Sequence, residues 1–217
     1  MLAIKQVNEC RIERPRPAYA PRFRRLVGEA AWAALPAAVQ HRFSKRLAGT
    51  EVALYRGTVL ETRFNAAGWL FANACRLIGA PLPICRDSKV PAVVSVSEDG
   101  QSGGQVWSRL YGRRRGFPQV IHSAKRFAGP TGLEEFIGRG VGMALRVETI
   151  PAGLRFVSDH YFIANGHWRM RLPAVFAPGR TVVEHHDLGD GRFAFDLDVS
   201  HPLFGALVHQ HALFSDG

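Results

Sequence analysis

Beyond Val90 the chain keeps a period of two. It is clearest in FAFDLDV, where Phe193, Phe195, Leu197 and Val199 share one face and Ala194, Asp196 and Asp198 the other. Successive side chains of a strand point to opposite sides, so this pattern describes a strand with one dry and one wet face. Val94 and Val96 alternate with Ser95 and Ser97 in the same way, and EDGQSGG then supplies a turn. Further strands are expected over residues 107–111, 119–127, 141–149, 154–163, 181–188 and 206–214, with GDG closing a hairpin ahead of Phe193. So many half-apolar strands need a second layer or a strong bend to bury their dry faces.

The first third of the chain reads differently. Short helical pieces are expected between Phe23 and Leu47, with Leu26, Val27 and Trp32 on one surface and Val39, Phe43 and Leu47 repeating every fourth residue. Pro36 marks a helix start. Leu70, Phe71, Ala74, Leu77 and Ile78 follow helical spacing over residues 67–78, Gly79 offers a terminus, and APLP forces an exit. TGLEEFIG has the form of a capping box, Thr131 with Glu134, and predicts a short helical connector. Three helices followed by seven or more strands give an α+β fold. Its centre is a strongly curved antiparallel sheet, a partly open barrel in the limit, covered by the N-terminal helices.

With 217 residues, 47% of them hydrophobic, the chain can close a sizeable core without metal or disulfide support. The net charge of +10 favours anionic partners without naming one. Ten of the Lys and Arg residues, against three acidic ones, fall in the first fifty positions, and Arg11, Arg14 and Arg16 stand among Pro15, Pro17 and Pro21. Residues 1–21 therefore read as a basic, proline-containing arm, and 22–217 as a single domain. Cys10, Cys75 and Cys85 cannot all pair within the chain and lack metal-ligand spacing, which suits a reducing compartment. The longest apolar stretch, residues 66–78, is broken by Asn73 and Arg76 and is shorter than the roughly 20 residues of a membrane span. The opening residues lack the pattern of a secretory signal, so the expected location is the cytoplasm.

Several groups of residues can carry chemistry. Arg113, Arg114 and Arg115, between two glycines, could form a basic rim for a carboxylate, a phosphate or an acidic surface. A solvated basic loop is the ordinary reading of such a run and comes first. Nucleic acid is disfavoured, because no recognition module accompanies the run. Glu184, His185, His186 and Asp187 invite an acid/base reading. On a strand, however, His185 and His186 face opposite sides, so they serve one site only if a bulge redirects them. Glu184, His185 and His186 are thus the candidate catalytic residues. No metal ligand set or cofactor is assigned, and no nucleophile elbow, zinc motif, Walker loop or dinucleotide fingerprint is present.

A curved sheet under helices can leave an apolar hollow, and LRFVSDHYFI, HWRMRLP and FAFDLDV offer large side chains for its wall. On the nominal strand Leu154, Phe156, Ser158, His160 and Phe162 share one face, opposite Arg155, Val157, Asp159, Tyr161 and Ile163. Candidate ligand-binding residues are Trp107, Arg109, Arg113, Arg114, Arg115, Phe156, His160, Phe162, Trp168 and Arg171. Packing with snorkelling arginines accounts for the same pattern without a ligand. The leading expectation is an accessory or small-molecule-binding domain for an apolar molecule with an anionic end. An enzyme of unspecified reaction and an interaction domain for an acidic partner are the alternatives.

APLP, VWSRLYGRRRG, GLEEFIGRGVGMALRVE, GLRFVSDHYFI, the stretch from RMRLP to HPLFG, and ALVHQHALF occur in order over residues 70–214. This combination resembles the bacterial family known as domain of unknown function 4166. The resemblance implies a domain found alone or beside oxidoreductase-like domains, and hence an oxidoreductase-like partner. It assigns no catalytic residue. Trp107, Gly112, Gly140, Gly142, Pro173, Phe195, Asp196, Pro202, Leu203 and Gly205 fall on its motifs, in turn, packing or cavity roles.

Overall fold

The computed structural model describes residues 20–79, 81–166, 168–173 and 177–216. Nearly all of the basic arm lies outside them. The described chain opens with three short helices, α1 (Arg22–Val27), α2 (Glu29–Ala33) and α3 (Ala37–Ser44), with Pro36 standing just before α3. Then come β1 (Val52–Phe64), α4 (Ala66–Ala74) and a 3-10 turn (Cys75–Ile78). The strands β2 (Val90–Asp99), β3 (Gly104–Tyr111), β4 (Gln119–Arg126), β5 (Glu134–Gly138) and β6 (Val141–Ile150) follow. The chain ends with β7 (Gly153–Asn165), β8 (Trp168–Arg171), β9 (Arg180–Gly189), β10 (Arg192–His201) and β11 (Gly205–Asp216).

The strands form one antiparallel sheet in the order β6-β5-β4-β3-β2-β1-β11-β10-β9-β7-β8, and β6 also pairs with β7. Ten strands therefore close on themselves, and β8 hangs from β7 outside the ring. The closure goes beyond the partly open barrel expected from the alternation. It depends on the length of β7, which pairs with β6 along its whole run while sharing its other edge between β9 and β8.

Both ends of the barrel carry helices. At one end Phe23, Trp32, Val39 and Phe43 from α1 to α3 pack on Leu145, Leu154 and Phe156 of β6 and β7. Phe23 meets Phe43, Phe127 and Phe156 edge-on at 5.1–6.0 Å between centroids, an arrangement that aromatic quadrupoles favour. At the other end α4 lies over β11. Asn65 caps α4 by accepting from the Gly68 amide at 2.7 Å, and a Cβ on Gly68 would run into the Leu207 carbonyl. The apolar stripe expected on this helix is only partly covered, since Leu70 and Leu77 are exposed.

Two local readings are corrected. TGLEEFIG is not a helical connector: residues 134–138 form β5, tied to β4 on one side and β6 on the other. Thr131 Oγ1 donates to the Leu133 carbonyl and the Glu134 carboxylate is taken by Arg169, so neither group caps anything. In β7 a bulge sets two residues, Asp159 among them, against one step of β6, between the pairs Ala144 with His160 and Leu145 with Ser158. The bulge reverses the facing of everything after it. Tyr161 thereby joins Phe156 inside, while His160 and Phe162 turn outward. β1 was not anticipated, and it too carries a bulge, between Val59 and Glu61.

Candidate functional site

The inward faces of β2, β3, β10 and β11 line the barrel with apolar side chains. Val94 and Val96 on β2, Trp107 on β3, Phe193 on β10, and Ala212 and Phe214 on β11 form one cluster, with Phe195 packed against it. Phe193, Phe195, Leu197 and Val199 point inward as their alternation predicts. The lumen is not solid. It holds a cavity of about 130 Å³ walled by Val94, Trp107, Phe156, Phe195, Ala212 and Phe214 and bordered at the α4 end by Phe71, Leu82 and Pro178. For scale, an apolar engineered cavity of about 150 Å³ accepts benzene.

A charged rung crosses this apolar space. Trp107 and Arg109 alternate inward on β3, Ile121, Ser123 and Lys125 on β4, and Lys125 pairs in register with Glu135 of β5. Lys125 Nζ donates to Glu135 Oε2 at 2.6 Å, and Ser123 Oγ donates to Oε1 of the same carboxylate at 2.6 Å. Arg109 Nη1 donates to Ser123 Oγ at 3.0 Å, and Nη2 stands 3.5 Å from Glu135 Oε1. Burial alone would raise the Glu135 pKa, but Lys125, Arg109 and Ser123 hold it down at about 2. Burial pushes the Lys125 ammonium down from its usual value, while Glu135 in direct contact opposes that shift. Lys125 Nζ also sits 5.1 Å from the Trp107 ring centroid and 5.6 Å from that of Phe156, so aromatic faces supply part of its solvation.

A narrow annex of about 20 Å³ lies towards α3, sharing Phe43, Trp107 and Phe195 with the main cavity and reaching His185. His185 is 1% exposed, and among the described residues neither ring nitrogen has a hydrogen-bond partner. Its ring stacks on Phe193 at 5.0 Å and meets Phe43 and Phe195 edge-on. Burial, aided by the nearby Arg42 charge, pushes its pKa down to about 3, so the imidazole is neutral at ordinary pH.

The proposed catalytic cluster is divided by the barrel wall. His185 faces the lumen, whereas His186 is outside, 2.9 Å from Glu184, and no bulge reunites them. Outside, Arg155, Glu184, Asp196 and His211 follow one another across four strands, with Arg155 to Glu184 and His211 to Asp196 both at 2.5 Å. Glu184 and Asp196 stand directly opposite each other with His186 between them, 2.9 Å from the first and 3.9 Å from the second, so the row is a polar cross-strand ladder of the outer face. Among the described residues no group of three or more His, Cys, Asp or Glu side chains could hold a metal ion.

Of the ligand-binding candidates, Trp107, Arg109 and Phe156 line the lumen. Arg113, Arg114 and Arg115 are exposed on the β3–β4 turn, where Arg114 is tied through its amide to Asp87 and through its side chain to the Ser88 carbonyl. They are not part of the cavity lining, so the cationic groups lie inside the barrel and not on the rim. Phe162 is buried behind the wall under the Arg169 guanidinium, and Trp168 is exposed on β8. His160, bound to Asp159 at 2.7 Å, and Arg171 border a wide outer trough of about 520 Å³ that is more open to solvent than the lumen.

Sequence reading missed Ser123, Lys125, Glu135 and Tyr161. Lys125 stands on the same alternating face as Ile121, which is a usable signal for an inward cation. Glu135 was hidden by the helical reading of its segment. Cys75 borders the cavity as a buried free thiol whose pKa is pushed up to about 11, an inert state. No described helix is long and apolar enough to cross a membrane.

A family model described as "Domain of unknown function (DUF4166)" matches residues 35–214, extending the resemblance towards the amino end through α3 and β1. No curated protein matches the chain. Among solved structures, a crystal structure described as "putative thioesterase II" from Thermobifida fusca YX is similar at 9% identity, covering 79% of this chain and 80% of that one. Its TM-score of 0.24 is too low to bear on fold or function.

Proposed function

The chain belongs to the DUF4166 family, a description that carries no activity, and from that starting point we propose that the barrel is a small-molecule-binding domain with its site in the lumen. One observation supports this above the others: the inward side chains leave about 130 Å³ between aromatic and aliphatic walls instead of meeting. Interiors are ordinarily packed to crystal-like density, and an unfilled apolar space forfeits contacts that a guest would restore. The separation of His185 from Glu184 and His186 weighs against the enzyme reading. An interaction role for the outer surface is the second reading, favoured by Leu70, Leu77 and Leu203 at 66%, 74% and 78% exposure. The cysteine usage supports a cytoplasmic setting, and the family resemblance supports accessory service to an oxidoreductase-like protein.

Native mass spectrometry after gentle purification tests the lumen reading. The expected result is a small-molecule adduct that is released on unfolding and reduced in Ala212→Leu, which fills the cavity from β11. A protein that carries no adduct and takes up no apolar probe would rule out the lumen as a site.

A further inference from the structure

The rung inside the barrel is unequal in charge. It contains two cationic side chains, Arg109 and Lys125, and one carboxylate, Glu135, and the carboxylate is already committed to Lys125 and Ser123. The other acidic residue beside the cavity is Asp196, whose neighbours Phe195 and Leu197 point inward, while its own carboxylate is taken by His211 on the outer face. Among the described residues Arg109 is therefore left with a single hydrogen bond of ordinary length, to Ser123, a long contact to Glu135 and the Trp107 ring at 5.6 Å. A guanidinium carries five donors in a rigid fork, so most of its hydrogen-bonding capacity is unspent.

We propose that the guest is an amphipathic anion, a molecule with an apolar body and one carboxylate-like end, and that Arg109 receives the anionic end while the body lies among Trp107, Phe156, Phe195 and Phe214. This rests on the lumen being the binding site and adds the charge class of what binds there. The reasoning is electrostatic. Arg109 shares Glu135 with Lys125 and its side chain is 22% exposed, so its charge is only partly compensated within the rung, and a second anion completes it as two cations with two anions. A cationic guest would meet a rung with one more cation than anion, and a neutral one would leave the guanidinium short of acceptors. Arg109 suits a carboxylate in particular because its fork can donate two parallel bonds. The position of Arg109 on β3 also orients the guest, charged end at the β3–β4 side and apolar body across to β10 and β11.

The test uses the full chain and two matched series sized to the cavity, pentanoate, pentanol and pentylamine, then benzoate, benzyl alcohol and benzylamine, titrated calorimetrically near neutral pH. Within each series the carboxylate should bind about ten- to a hundredfold more tightly than the alcohol, the range expected for a charge-assisted hydrogen bond, and the amine most weakly. Arg109→Gln should abolish that preference, bringing the carboxylate's affinity down to that of the alcohol measured in the same variant. Alcohol or amine binding as tightly as the carboxylate would overturn the charge assignment and leave the lumen reading standing. Failure of every compound in both series would overturn the lumen reading itself, and this inference with it. A preference that survives in Arg109→Gln would place the anion elsewhere and overturn the role of Arg109.

Discussion

Arg42 on α3, whose side chain is only 3% exposed, donates from Nη1 of its guanidinium to Asp187 Oδ1 of β9 at 2.7 Å. The same group takes Asp216 at the end of β11 and lies 4.4 Å over the Phe193 ring, so one side chain fastens the helical cap to three strands. Replacing one partner of a buried pair leaves the other uncompensated. Arg42→Met should therefore lower stability by about 3 kcal/mol, the low end of the cost of breaking such a pair, because Asp216 is one-third exposed and can rehydrate. Urea unfolding measures it. A midpoint equal to that of the parent protein would mean the cap is held by packing alone.

Lys125 and Glu135 are coupled, and a double-mutant cycle should expose this. Lys125→Met leaves a buried carboxylate with Ser123 and the more distant Arg109, and should destabilise strongly. Adding Glu135→Leu should recover much of the loss, since a well-packed apolar pair can replace a buried ion pair. Simple additivity of the two losses would show that the groups act independently.

Acid sensitivity follows from two depressed pKa values. His185 titrates near 6.5 when unfolded and at about 3 when folded. Between those values only the unfolded chain holds the extra proton, so stability falls as pH drops through that window, by about 1.4 kcal/mol per pH unit. Glu135, lowered from 4.5 to about 2, keeps its stabilising effect above pH 4.5 and loses it as pH falls towards 2. His185→Phe should flatten the pH dependence between roughly 6.5 and 4.5 and leave the steeper loss below it, read by thermal melts across pH. An unchanged slope in the upper window would place the titrating group elsewhere.

The exposed arginine run should be separable from the cavity. Changing Arg113, Arg114 and Arg115 together to Gln is expected to leave the melting temperature and lumen binding as they were, because none of the three borders the cavity. Any response should be confined to salt-sensitive contacts at the outer surface. Loss of carboxylate binding in this variant would return the anion site to the rim.

Much of the wall was legible because alternation is a local signal. Phe193 to Val199 required only the period of two, and the same rule separated His185 from His186 before any fold was known. What was lost lay where local rules are overridden. One extra residue in β7 exchanged Phe162 for Tyr161 on the inner face, and no periodicity announces a bulge. Thr131 and Glu134 fit a capping box by type and spacing, yet β4 and β6 on either side supply pairing that outweighs the local preference. The charged rung needed both corrections, because Glu135 meets Lys125 only once its segment is a strand. Arg109 was identified as a residue type suited to an anion, but that it stands inside with little to hold depends on tertiary closure.

That β7 binds β6 along one side while dividing the other between β9 and β8 has a bearing on how the protein behaves when crowded. A ring of ten strands has no first or last member whose amides and carbonyls could recruit a neighbouring molecule. Among the described residues only β8 stands outside that ring, and it is four residues long, with arginines at two of its positions. Shortness and like charge both disfavour growth of one sheet onto another, so the same pairing that encloses the lumen protects the folded chain from fibre-like association.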